Sequence, residues 1–318
     1  MDDFKIGINL WTQTGSWQEM LDAAGAVDRL GYEHLWAWDH VKAIFGDPHQ
    51  SIFEGWTTIT AWAMATQNVK VGLMVGANTF RNPGLVAKIA TTLDHVSGGR
   101  AILGLGGAWF ELEHREFGID FGSGFGQRLD WLDESVGAIR ALTSGEKVTS
   151  PAGGHYSLDG ATINPLPVQK RLPIMIGGTG RTKTLRTVAR YADIWNASGL
   201  PSEVREFDGV LRRHCEEVGR DEREIERSSN LWFVIRDSEA EARREWAAWM
   251  ERNRMPFERS IEPSRPVFGT PETIAERLLE YCAAGFMTAL VEMPAPYDRE
   301  TIERLAREVR PLVVKQLG

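Results

Sequence analysis

HLWAWDHVKAIFG, residues 34–46, is an apolar run that stops abruptly at Asp39 and His40. Read as a buried parallel strand from His34 to Trp38, it delivers an acid and an imidazole at its carboxyl end, where (β/α)8 barrels carry their active sites. Alternation along such a strand places Leu35, Ala37 and Asp39 on one face and Trp36 and Trp38 on the other, so an inward Asp39 leaves both tryptophans against helices. Imidazole exchanges protons near neutral pH, and a carboxylate beside it orients or stabilises it; this makes the pair a candidate acid–base centre. The plainer reading is an Asp that caps the next turn.

The rhythm around this segment repeats. Periodicity predicts strands near 4–10, 34–39, 69–76, 100–106, 173–178, 193–197, 228–236 and 287–293. Helical patterns are predicted near 16–31, 55–67, 83–97, 126–144, 181–192, 202–218, 238–252, 271–284 and 298–316. The strands VKVGLMVG, RAILGLGG, LPIMIGG and MTALVEM are apolar nearly throughout, as a parallel sheet covered on both faces requires. Eight strand-then-helix units predict an α/β fold, a (β/α)8 TIM barrel, with an open doubly wound sheet as the rival. No Pro/Ser-rich linker interrupts residues 1–318, which are therefore read as a single domain. Two segments break the rhythm: 145–167, whose glycines suggest a β-hairpin insertion, and 253–269, too proline-rich for a helix and suited to a substrate-facing loop.

A chain of 318 residues with 42% hydrophobic and 25% charged composition is globular. Its net charge of -8 argues against nucleic acid or an anionic membrane as partner, since both need clustered Lys and Arg. The two cysteines, Cys215 and Cys282, offer neither a disulfide framework nor a metal motif, which suits a reducing cytoplasm. The start, MDDFKIGINLW, runs directly into a strand pattern without the basic and apolar regions of a leader. No stretch reaches the roughly 18 apolar residues of a membrane span.

Three further segments carry possible chemistry. VGLMVGANTFRNP (71–83) ends a strand in small residues, Gly76, Ala77 and Asn78, that let backbone approach a flat ligand or simply make a tight turn before a helix opened by Asn82 and Pro83. ILGLGGAWFELEH (102–114) fails the GxGxxG pattern at Trp109, so a nicotinamide-binding fold is poorly supported. Its Glu111, Glu113 and His114 read as a solvated helix face, and no metal-ligand set is recognised. PIMIGGTGRTKTLRTVARYAD (173–193) is the stronger anion signal: Gly177, Gly178, Thr179 and Gly180 turn into a helix whose first turn carries Arg181 and Lys183, a phosphate cradle or an ordinary glycine turn. Of the twelve tryptophans, Trp11 and Trp109 stand at strand ends and are candidates for an aromatic substrate pocket.

Taken together, GYEHLWAWDH (31–40), the long segment from Asn78 to Phe121, HYSLDGATINPLPVQ (155–169), PIMIGGTGRTKTLRTVARYADIWN (173–196) and GTPETIAERLLEYCAAGF (269–286) resemble the bacterial luciferase-like superfamily, and more closely its F420-dependent oxidoreductase branch. The resemblance runs over nearly the whole chain and is least clear between 200 and 265. It implies a barrel that holds coenzyme F420, or alternatively FMN, at the carboxyl ends of the strands, acting on a small-molecule substrate. Asp39 would lie near the ring system, with His40 as proton donor or acceptor. A non-prolyl cis peptide at Met74–Val75 would back the ring, Asn78, Gly107 and Ala108 would flank ring and tail, and Gly177 to Gly180 would hold the phosphate. Relatives commonly form homodimers. Sugar-phosphate dehydrogenases of this branch carry a Glu after the fourth strand and a Trp shortly after the Asp-His pair, where this chain has Trp109 and Ile44; the resemblance therefore points away from glucose 6-phosphate. A reduced-FMN monooxygenase and a non-catalytic flavin-binding protein on the same barrel are the alternatives.

Overall fold

Parallel strands need long crossovers, and the sequence supplies a helix for each, some of them strongly capped. Ser16 opens helix Trp17–Arg29 by a reciprocal capping box with Glu19, and Asn82 with Pro83 opens helix Pro83–Val96; both are strong helix starts. The computed structural model describes residues 4–255 and 266–318.

Its strands are β1 (Lys5–Leu10), β2 (His34–Ala37), β3 (Lys70–Leu73), β4 (Gly76–Ala77), β5 (Ala101–Gly106), β6 (Ile174–Gly177), β7 (Ile194–Ala197), β8 (Glu226–Leu231), β9 (Phe233–Ile235), β10 (Val267–Gly269) and β11 (Thr288–Met293). Hydrogen bonding runs β3-β2-β1-β11-β8-β7-β6-β5-β4, and β3 also pairs with β5, which closes the cylinder. Because β3 and β4 are two pieces of one wall position, the result is an eight-stranded parallel barrel with helices between strands, a (β/α)8 fold as anticipated.

Two side-chain layers build it. Trp36, Met74, Ile102, Met175, Ile194 and Leu290 fill the cylinder, and a larger cluster including Leu35 and Ala37 packs between strands and helices. The alternation expected for 34–39 is therefore reversed: Trp36 points inward, Leu35 and Ala37 outward. The strand ends at Ala37, so period-two counting does not extend to Asp39, which turns into the mouth from an irregular segment.

Two further expectations change. The predicted strand 69–76 is broken at Met74–Val75, whose peptide bond is cis. The predicted strand 228–236 is divided at Trp232, and its second half, β9, leaves the barrel to pair with β10.

Glycines of β5 lie against that break. A Cβ on Gly104 would meet the Leu73 carbonyl at 1.9 Å, and one on Gly106 would meet Val75 at 2.7 Å. Residues 145–167 form an irregular excursion held by one antiparallel bridge, Val148 to Ala161, rather than a regular hairpin. In the segment 253–269, residues 256–265 lie outside the described residues. Among the described residues, no helix is long and apolar enough to cross a membrane.

Candidate functional site

A cavity of about 380 Å³ opens at the carboxyl ends of the strands, within the range of small-molecule sites. Asp39, His40, Met74, Val75, Gly107, Ala108, Trp109, Gly177 and Gly178 share its lining, so the two motifs singled out at 34–46 and 173–193 meet in space.

Asp39 and His40 are neighbours in sequence with different supports. Asp39 is buried; its Oδ2 accepts from the Ala77 N–H at 2.9 Å and from Arg81 Nη1 at 2.7 Å. Arg81 also donates to Glu54 at 2.8 Å, and Glu54 caps helix Gly55–Ala65. Burial pushes the Asp39 carboxyl above its ordinary range, with Arg81 opposing. Its Oδ1 is buried without a hydrogen-bond partner.

His40 is fixed from the other side. Its Nδ1–H donates to Glu113 Oε1 at 2.8 Å, and the Val41 N–H donates to Glu113 Oε2 at 3.0 Å. A carboxylate that receives both selects the tautomer with Nδ1 protonated, leaving Nε2 for the cavity the ring lines. Glu113 and His114 are buried, which corrects the solvated-face reading for these two, while Glu111 is exposed as that reading has it. His114 donates from Nδ1 to the Phe110 carbonyl and accepts from Thr79 at Nε2, a structural anchor. Among the described residues, no group of acids, histidines or cysteines is arranged to hold a metal.

The remaining candidates scatter around the mouth. Asn78 is buried behind the lining, its amide donating to the Tyr156 hydroxyl at 2.9 Å, with that hydroxyl donating back to the Asn78 carbonyl. Thr179 lines an adjoining cavity of about 500 Å³ that shares Phe45, Ser198, Asn230 and Trp232 with the first. Gly180 and Arg181 line neither; Arg181 pairs with Glu206 at 2.9 Å on the surface. Trp109 is exposed at the rim. Trp11 is corrected from pocket wall to support: fully buried, it packs behind Trp38, Phe45 and Trp232.

Trp11 instead donates its indole N–H to Glu292 at 2.7 Å, where the Asn9 amide also donates at 2.9 Å. Glu292 lines the cavity floor, and burial raises its carboxyl from 4.5 to about 7. The strand MTALVEM did carry a signal, an acid in an otherwise apolar barrel strand, that the reading of the sequence passed over. Such an acid binds its proton more tightly folded than unfolded, so its favourable contribution is complete below pH 4.5 and is lost as pH rises through 7. At roughly 1.4 kcal/mol per unit, the difference is about 3 kcal/mol. Glu292→Gln should therefore gain stability over the parent in urea melts at pH 8.5 and little at pH 4.5; an equal change at both would remove Glu292 from the account.

The luciferase-like monooxygenase family model matches residues 4–266. An F420-dependent glucose-6-phosphate dehydrogenase of Microbacterium testaceum is 26% identical, with 94% of each chain covered. An F420-dependent hydroxymycolic acid dehydrogenase of Mycobacterium tuberculosis is 25% identical over 75% of this chain, which spans 65% of that protein's length. Among solved structures, an F420-dependent secondary alcohol dehydrogenase in complex with an F420-acetone adduct superposes with a TM-score of 0.84 at 20% identity, covering 98% of this chain and 99% of that one.

Proposed function

The chain belongs to the luciferase-like monooxygenase family, and from that premise we propose that it is an F420-dependent oxidoreductase that moves a hydride between the deazaflavin and a small organic substrate, with His40 exchanging the proton. The observation that carries the reading is the placement of His40: its Nδ1 is held by Glu113 while the ring lines one cavity with a side-chain-free strip, Gly76, Gly106, Gly107, Gly177 and Gly178. The F420 named in the relatives supports the choice of cofactor.

The residues present fit the group. The unpartnered Asp39 Oδ1, the Met74–Val75 break and the glycines would hold the ring, and the turn Gly177 to Gly180 would receive the tail phosphate, with Arg181 reaching it only by leaving Glu206. When bound, the deazaflavin supplies two-electron hydride chemistry at its C5.

Protein groups supply the rest. Glu113 fixes the tautomer and direction of His40, so that Nε2 gives or takes a proton at the substrate heteroatom. Trp38, Ile44, Phe45 and Trp232 wall the cavity and exclude water from the reacting atoms. No Lys or Arg occurs among the described lining residues, which supports a substrate other than a sugar phosphate.

Titrating the purified chain with F420 and with FMN, and following each chromophore's absorbance, tests the reading. Saturable F420 binding that FMN does not displace is expected. Tight FMN binding with oxygen uptake on reduction would instead return the monooxygenase reading, and binding of neither would remove both.

A further inference from the structure

The cavity has two unlike ends. Asp39, the Met74–Val75 break and the glycines form one. The other is built by Glu292, Asn230, Trp38, Phe45 and Trp232, on or beside β2, β8 and β11, above the apolar plug of the barrel.

Three carboxyl groups line the cavity: Asp39, Glu113 and Glu292. Asp39 is paired with the Arg81 guanidinium, and Glu113 accepts from the His40 ring and the Val41 N–H. Glu292 has only neutral partners among the described residues, the N–H groups of Asn9, Asn230, Trp11 and Trp38. Asn230 Oδ1, next to it, is a buried acceptor without a donor. Three aromatic rings surround this end, and their faces carry negative quadrupole charge that attracts cations. An anion placed here would meet a buried acid and an amide oxygen with no Lys or Arg among the described lining residues of this cavity; an N–H cation would meet a carboxylate, an unused acceptor and three aromatic side chains.

We propose that the Glu292 end of the cavity is the receptor for a cationic nitrogen, a primary or secondary ammonium carried on an apolar body, and that Glu292 is the residue that sets this specificity. The inference rests on reading this cavity as the substrate site and not on the identity of the cofactor. Glu292 acts by holding the substrate nitrogen; the proton exchange assigned to His40 is separate.

Three cyclohexyl probes differing in charge test it: cyclohexylammonium, cyclohexanol and cyclohexanecarboxylate, each titrated calorimetrically at pH 8 into the chain without added cofactor. A desolvated carboxylate and ring faces together favour the ammonium over the alcohol by roughly tenfold or more, with no saturable binding of the carboxylate. Glu292→Gln should bring the ammonium down to the affinity of the alcohol and leave the alcohol unchanged. Equal or tighter binding of cyclohexanol or cyclohexanecarboxylate overturns the proposal, as does a Glu292→Gln chain that keeps the ammonium's lead. Should that variant fail to fold, the ranking of the three probes on the parent chain still decides. A chain that binds the ammonium but not F420 would keep this assignment and lose the cofactor reading, and the converse result would do the opposite.

Discussion

His40→Ala lowers turnover of the F420-loaded chain by roughly 10²–10⁴-fold, the usual worth of a positioned general acid or base, while the affinity for F420 stays within a few-fold of the parent. The split follows from the geometry. His40 is anchored through Glu113, whereas the proposed seat of the ring is built by Asp39, Met74–Val75 and the glycines. The imidazole is about an eighth exposed at the mouth, 13% of its side chain, so its loss opens a hole that solvent fills rather than a cavity in the core. Added imidazole should restore part of the rate, because the Glu113 acceptor and the vacated space remain. Stopped-flow measurement of deazaflavin absorbance with any substrate the parent turns over provides the test; unchanged turnover in His40→Ala ends the proton-transfer role, and a parallel loss of F420 binding would reduce His40 to a scaffold.

Arg81→Ala should destabilise the chain by about 3 kcal/mol at pH 8, in line with removing one partner of a buried pair. Asp39 is 2% exposed and Arg81 18%, so the acid left behind has the Ala77 N–H as its remaining described donor. It can escape the penalty only by taking up a proton. The Asp39 carboxyl, already raised by burial with Arg81 opposing, rises further without the guanidinium. A raised folded-state value means that stability is present below the unfolded value of about 3.9 and is lost as pH climbs. The deficit of the variant relative to the parent therefore shrinks toward pH 4 and grows toward pH 8. Urea midpoints at the two pH values measure it, and a deficit that ignores pH would mean that Arg81 matters through packing rather than charge.

The barrel was legible because its signals are local and repeated: a buried strand reads as a continuous apolar run and a crossover helix as a capped amphipathic stretch. Asp39, His40 and the Gly177–Gly180 turn could be picked out for the same reason, each lying where an apolar strand ends. What could not be read were partners distant in sequence. Glu113 looked like a surface acid because helix Glu111–Phe117 has acids and bases on several faces, and only the folded chain shows which face meets His40 across 73 residues. Arg81 sits in a turn where an arginine is unremarkable, yet it reaches 42 residues back to Asp39. Trp36 was assigned to the wrong face because strand parity was carried past the true strand end, and one residue of error in register inverts every side chain.

The adjacent residues Asp39 and His40 hang from separate anchors: one from β4 and Arg81, the other from a short helix two βα units along the chain. Neighbouring letters thus belong to different mechanical assemblies. On the proposed roles, substitutions that tilt the helix would retune proton delivery without loosening the ring's seat, and changes around the third strand would reshape the seat without moving the imidazole. Such decoupling lets a lineage alter its chemistry and its cofactor grip by independent steps, so that neither trait has to wait for the other.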